Sequence, residues 1–138
     1  VSGGHALKFY AGLEIWCSVK ENITKQIKGK PRVQGVLCKM RVKKNRLNGK
    51  DRTLELPIYP SYGIDDTGSC VDYLISEGHW IKKGQKIVAT EFEIETLRDK
   101  IIQYIEENNL ENKLRKIVGI VWNEIEDLVS LKRKPRYL

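Results

Sequence analysis

Apolar and polar residues alternate along the first part of the chain and change to a helical rhythm later. Leu7, Phe9, Ala11, Leu13, Ile15 and Cys17 fall on one face, Lys8, Tyr10, Glu14 and Trp16 on the other. That period of two predicts a half-buried strand over residues 7–17. Residues 18–30 are polar, contain Gly29, and read as a long, lysine-rich hairpin connection. Val36, Cys38, Met40 and Val42 then alternate with Leu37, Lys39, Arg41 and Lys43, predicting a second strand with one strongly basic face. Asn48-Gly49 is a turn signal. Leu54, Leu56 and Ile58 predict a third strand, and Pro57, which cannot donate to a ladder, suggests an edge. Three consecutive strands with short returns make an antiparallel meander. Three alone are marginal, so the meander is expected to extend something larger.

The rhythm changes after Gly63. Asp65, Asp66 and Thr67 are good capping residues, followed by Cys70, Val71, Leu74 and Ile75 at helical spacing. A short hairpin is expected around Gly84, with Trp80, Ile81, Ile87 and Val88 as its apolar content. Thr90 to Glu93 fits a capping box, opening a helix whose inner face is Phe92, Ile94, Leu97, Ile101 and Ile105. Leu110, Leu114, Ile117, Val118, Val121, Ile125, Leu128 and Val129 form the clearest amphipathic stripe. Core packing is the role expected of it, with a groove for a partner helix as the alternative. The tail, Lys132-Arg133-Lys134-Pro135-Arg136, is basic and expected to be disordered. These elements predict two domains, residues 1–63 and residues 64–138.

Charge adds the first functional information. Residues 1–50 hold twelve lysines and arginines against two acids, Glu14 and Glu21, a balance of +10; the remainder carries −3. A basic part beside a slightly acidic part points to a polyanion surface on the first. The alternative is an ordinary solvated, lysine-rich sheet edge. At 41% apolar residues the chain has enough for a core, while 31% charged residues exclude a membrane protein. No run approaches the roughly 18 apolar residues of a spanning helix. No secretory signal precedes the first strand pattern. Cys17, Cys38 and Cys70 lie far apart without CxxC spacing and read as small core hydrophobes in a reducing compartment. His5 and His79 have no carboxylate or cysteine at ligand spacing, so no metal is assigned.

Catalytic signatures are missing. There is no GxxxxGK[ST] loop to cradle a triphosphate, and no GxSxG, HExxH or paired Cys/His arrangement. Asp65-Asp66 sits at a helix start, where capping is the default role. By itself the chain is not expected to catalyse a reaction. Two features bear on binding. Gly3-Gly4 precedes Lys8-Phe9-Tyr10, and glycine allows close approach to a ligand while lysine and aromatics serve phosphates and bases. Lys43-Lys44-Asn45-Arg46 ends a predicted strand with cations suited to a phosphate cluster, although a solvated strand end fits the composition as well.

Taken together these segments resemble the RecA family of DNA recombinases. The run Gly3-Gly4-His5-Ala6-Leu7-Lys8-Phe9-Tyr10-Ala11 resembles the family's exit from its second DNA-binding loop into the next core strand. Lys44-Asn45-Arg46 is similar to a Lys-Asn-Lys-type motif that ends a later strand. Leu56-Pro57-Ile58-Tyr59, Gly63-Ile64 through Gly68, Val71-Asp72 and Gly78 resemble the segment leading into the family's C-terminal lobe. The resemblance covers roughly residues 1–90 and fades through the last two helices. Trp16 and the long basic hairpin make the chain look like a divergent or phage-type member.

The resemblance implies an α/β parent protein, α+β within this chain: antiparallel strands from the end of a RecA-like core, followed by a small mixed helical lobe. It implies ATP-dependent homologous pairing and strand exchange in recombination and repair, including the SOS response. Gly3, Gly4 and His5 would lie along single-stranded DNA. Lys8, Phe9 and Tyr10 would sit at the subunit interface of a helical filament, Phe9 relaying nucleotide state. Lys44 and Arg46 would reach the phosphates of ATP, bound with Mg2+ by the neighbouring protomer, none being held by this chain alone. Lys82, Lys83 and Lys86, with the basic tail, would contact double-stranded DNA. The P-loop, the catalytic glutamate, the first DNA loop and most of the second are expected upstream of Val1, in a bacterial or phage-infected cytoplasm, without a membrane partner. Glu14, Trp16 and the basic chain end depart from the family pattern, so autoinhibition by an acidic tail is not carried over. Two other readings remain open: a stand-alone basic nucleic-acid-binding module without ATPase activity, and an interaction protein whose last helical stripe packs on another subunit.

Overall fold

The computed structural model describes residues 4–134 and 136. The fold is α+β and divides into two compact units, residues 1–69 and residues 70–138. The predicted boundary after residue 63 falls inside a short strand that closes the first sheet, β4 (Gly63–Ile64).

The first unit is a four-stranded antiparallel meander in the order β1-β2-β3-β4. Strand β1 (Leu13–Ile27) and strand β2 (Lys30–Asn45) form a long hairpin. Residues 18–30, expected as a connection, are therefore almost wholly strand. The connection is only Lys28-Gly29, both at positive φ (51° and 71°), the two-residue turn whose twist matches that of the strands. Strand β3 (Thr53–Tyr59) pairs with residues 36–41 of β2, and β4 covers only its end. Pro57 stands opposite Leu37, and its carbonyl accepts the Asp65 N–H at 3.0 Å.

Residues 4–10 overturn an expectation. They form helix α1 (Gly4–Tyr10), whereas alternation predicted a strand from residue 7. The reason is the lack of a neighbour: β2 ends at Asn45 opposite Leu13, and the chain then turns through Asn48-Gly49. A lone strand leaves its backbone groups unpaired, and a helix satisfies them locally. Gly12 follows at the break before β1.

Three bulges interrupt the β1–β2 register, leaving Lys43, Lys20 and Gln34 as extra residues. Such bulges bend and twist the ribbon. Register places Ile15, Cys17 and Val19 beside Val42, Met40 and Cys38, with Leu54 and Leu56 beyond, on one apolar sheet face. Ile15, Val19 and Leu54 are nonetheless exposed. Cys17, read from sequence as a core residue, is exposed too; Cys38 and Cys70 are half-buried, and none of the three is in a disulfide.

The second unit is built around a core. Helix α2 (Asp66–Ser76), which enters this unit at Cys70, starts at an Asp65 cap, whose Oδ1 accepts the Gly68 N–H at 2.8 Å. A side chain at Gly68 would strike that carboxylate, since a Cβ there would lie 2.1 Å from Oδ2. The hairpin β5 (Ile81–Lys83) and β6 (Lys86–Ala89) turns at Gly84, as the sequence suggests. The expected capping box is not formed. Thr90–Phe92 is one 3-10 turn, ended by Glu93 in the left-handed region (φ 57°). Residues after it pair with β6 as strand β7 (Ile94–Leu97). Strand β6 thereby gains a second partner, and Leu97 is exposed instead of facing the core. Helix α3 (Arg98–Glu107) and helix α4 (Glu111–Val129) follow. Leu74, Trp80, Phe92, Ile101, Ile105, Leu114, Ile117 and Val121 close one hydrophobic cluster. The stripe on α4 packs there as far as Ile125; Leu128 and Val129 are exposed. Residues 131–134 and Arg136 lie exposed outside any helix or strand; the rest of the basic tail's predicted disorder falls on Pro135, outside the described residues.

Candidate functional site

At one end of the first sheet, the tip of β2 meets the end of α1. Strand β2 brings Lys44 opposite Glu14 and carries the chain into Arg46, whose N–H bonds the Gly12 carbonyl at 2.9 Å. Asn45 shapes the following turn. Its Oδ1 accepts the Leu47 and Asn48 N–H groups, and its Nδ2 donates to the Lys50 carbonyl at 3.1 Å. Lys44 Nζ donates to the carbonyls of Lys8 and, at 3.4 Å, Phe9. A lysine is well placed there, because the last carbonyls of a helix are unsatisfied and carry partial negative charge. The Arg46 guanidinium lies 5.7 Å from the Phe9 ring centroid, and the Phe9 and Tyr10 rings meet edge-on at 5.4 Å. Beside them, the Lys43 ammonium lies over the Trp16 ring, 3.7 Å from the centroid, while Trp16 Nε1 donates to Glu14 at 2.6 Å.

The structure thus gathers Lys8, Phe9, Tyr10, Lys44 and Arg46, which lie more than thirty positions apart in sequence. Gly4 opens α1 and His5 lies exposed on it; Gly3 is outside the described residues. Lys43 and Trp16 were not singled out as a pair; Trp16 stands opposite Arg41, and Lys43 follows Arg41 two residues on.

Lys82, Lys83 and Lys86 belong to the second unit and are exposed around the β5–β6 turn. Lys83 faces Lys86 across the hairpin and forms an ion pair with Glu95 at 3.6 Å. A second polar cluster there was not anticipated. The Glu91 carboxylate accepts hydrogen bonds from Trp80 Nε1 at 2.7 Å and Thr90 at 3.0 Å and contacts His79 Nε2. Burial pushes the Glu91 carboxyl up, but these hydrogen bonds outweigh it and hold its pKa at about 2. The hidden signal was spacing: His79 and Trp80 stand a whole two-stranded hairpin away from Glu91, at no ligand or capping interval. Among the described residues no cluster of three or more His, Cys, Asp or Glu is placed to hold a metal. No helix among them is long and apolar enough to cross a membrane.

The arrangement is a cationic, aromatic-lined strand end suited to anionic groups, and comparison with known proteins narrows its class. The chain is similar to RecA proteins over 85% of its length. It is 30% identical over 120 residues to protein RecA of Rickettsia prowazekii and 29% identical over 122 residues to protein RecA of Borreliella burgdorferi. It spans about a third of these relatives, 34% and 33% of their lengths. No family model matches the chain.

Proposed function

We propose that this chain is the carboxy-terminal part of a RecA-like recombinase, which pairs and exchanges homologous DNA strands in an ATP-dependent filament in the bacterial or phage-infected cytoplasm. The observation that carries this reading is the gathering of Lys44 and Arg46 against Lys8 and Phe9, inside a region similar to RecA proteins. Two neighbouring cations fit the phosphates of ATP and Mg2+ presented by an adjoining protomer, where they stabilise charge on the transferring group. The contacts also supply a relay. An anion that draws Lys44 away removes the donor from the last carbonyls of α1, the helix bearing Phe9 and His5. Nucleotide and DNA surface are thereby coupled through one short helix. Lys82, Lys83 and Lys86 serve duplex phosphates on the lobe, independently of that relay.

The open apolar face of the first sheet favours this reading over a stand-alone basic module. Such a face is what a sheet normally buries against a further layer of its own domain.

In the full-length protein, Lys44→Ala and Arg46→Ala are each expected to lower DNA-stimulated ATP turnover by about 10³-fold, the scale of a cation supplied in trans. Unchanged turnover with both variants overturns the assignment. Mixing them with P-loop-defective protomers that retain Lys44 and Arg46 should restore turnover.

A further inference from the structure

The β1–β2 hairpin runs on past the sheet that anchors it. Strand β3 pairs only with residues 36–41 of β2, so residues 23–27 and 30–35 pair with each other alone. At about 3.3 Å per residue this two-stranded arm is roughly 20 Å long. Both its faces are open: apart from Ile23 and Gly35, every residue from 22 to 35 is exposed.

Its charges are arranged unlike those at the base. There, Lys20, Arg41 and Lys39 have acids beside them. Lys20 Nζ lies 2.8 Å from Glu55, Arg41 lies 2.9 Å from Asp51, and Lys39 stands opposite Glu55. On the arm, Lys25 stands directly opposite Arg32, Lys30 follows Arg32 on the same face, and Lys28 occupies the turn. No acid occurs from residue 23 to residue 34. Like charges directly opposite one another destabilise an antiparallel pair, and nothing on the arm answers them. An arrangement that works against its own hairpin is explained by an anionic partner.

We propose that this arm is a binding element for duplex DNA, lying in the major groove with Lys25, Lys28, Lys30 and Arg32 on the flanking phosphates. A two-stranded ribbon fits the roughly 12 Å width of that groove, and the bulges at Lys20 and Gln34 add the twist needed to follow it. The deep, narrow major groove of an RNA duplex does not admit such an element. A single strand offers no groove walls. Phosphate contacts carry no sequence information, so binding is largely independent of sequence. The inference needs neither ATP nor a neighbouring protomer and does not rest on the RecA reading.

Fluorescence anisotropy on the full chain, with a 30-bp DNA duplex, the matching RNA duplex and the single strand, tests it. The variant with Lys25, Lys28, Lys30 and Arg32 all changed to Gln should lose at least about tenfold in affinity for duplex DNA, with the salt slope reduced by about 3 to 4. Changing Lys132, Arg133 and Lys134 to Gln, which also removes cations, should cost much less. Lys25→Glu separates binding from folding: opposite Arg32 it should raise the melting temperature slightly while weakening DNA binding severalfold. Equal affinity for the RNA duplex overturns the groove geometry. Undiminished binding by the fourfold variant, or no binding by the unaltered chain, overturns the proposal while leaving the ATPase assignment of Lys44 and Arg46 untouched.

Discussion

The second unit holds its helices and its small sheet around side chains from Val71 to Val121, with Trp80 only 1% exposed. Among its described residues the first unit has no comparable interior. Its order comes from ladder hydrogen bonds and cross-strand pairs, and Val19, on its apolar face, is 63% exposed. The difference separates two duties. Burial concentrates stability in the lobe, at roughly 1.5 to 3 kcal/mol for each large apolar side chain removed from water. The meander presents charge on a frame whose apolar face stays open. Regions with few buried contacts open at low free energy, and both anion-facing surfaces of the first unit lie in such a region.

The largest effect that bears on this contrast comes from a core truncation. Leu74→Ala is expected to cost about 2 to 5 kcal/mol, read by denaturant titration of Trp80 fluorescence, whereas Val19→Ala should cost less than about 1 kcal/mol. Similar losses for the two would break the comparison. Next is Gly35→Ala, at a tight site of the first sheet. A Cβ there would lie 2.6 Å from the Ile58 carbonyl oxygen and 2.7 Å from the Tyr59 ring. A cost of about 1 to 3 kcal/mol is expected, seen as faster hydrogen exchange of the β2–β3 amides with the lobe's unfolding unchanged.

Acid should act mainly on the lobe. The Glu91 carboxyl is held at about 2 in the folded state against an ordinary 4.5, so its contribution is full above 4.5. It is lost as pH falls from 4.5 toward 2, because the unfolded chain binds the proton first. Glu91→Gln should flatten that part of the lobe's stability profile; an unaltered slope would remove Glu91 as its source. The smallest effect belongs to the hairpin turn. Lys28, at φ 51°, occupies a position that favours asparagine. Lys28→Asn should stabilise the first unit by a few tenths of a kcal/mol, about half the cost of an unfavourable turn residue, with no change in the lobe's melting.

Alternation located β2 and β3 because Val36 to Val42 and Leu54 to Ile58 each have one apolar face. It failed at residues 7–11, where the pattern is equally clean but no strand stands opposite; pairing is a long-range property that periodicity does not contain. It failed again at residues 18–30, because a ribbon open on both faces has no buried side to reveal it. The Thr90–Glu93 motif was misleading since Glu91 is committed to Trp80 and His79, and β6 offered Ile94 to Leu97 a ladder. At the candidate site, the cations and aromatics were visible as residue types. What sequence did not show was that Lys44 binds the end of α1, or that Lys43 stands over the Trp16 ring.

A hairpin anchored at its base and closed by Lys28-Gly29 is free to change at its tip. Adding two residues to each strand lengthens it by about 7 Å and leaves every anchored side chain on its original face. Adding one to each turns the outer part over, so that cations and apolar residues exchange sides. The arm's reach is therefore a heritable quantity that varies in even steps. Selection can adjust it without touching the lobe, the sheet at its base or the cations beside α1.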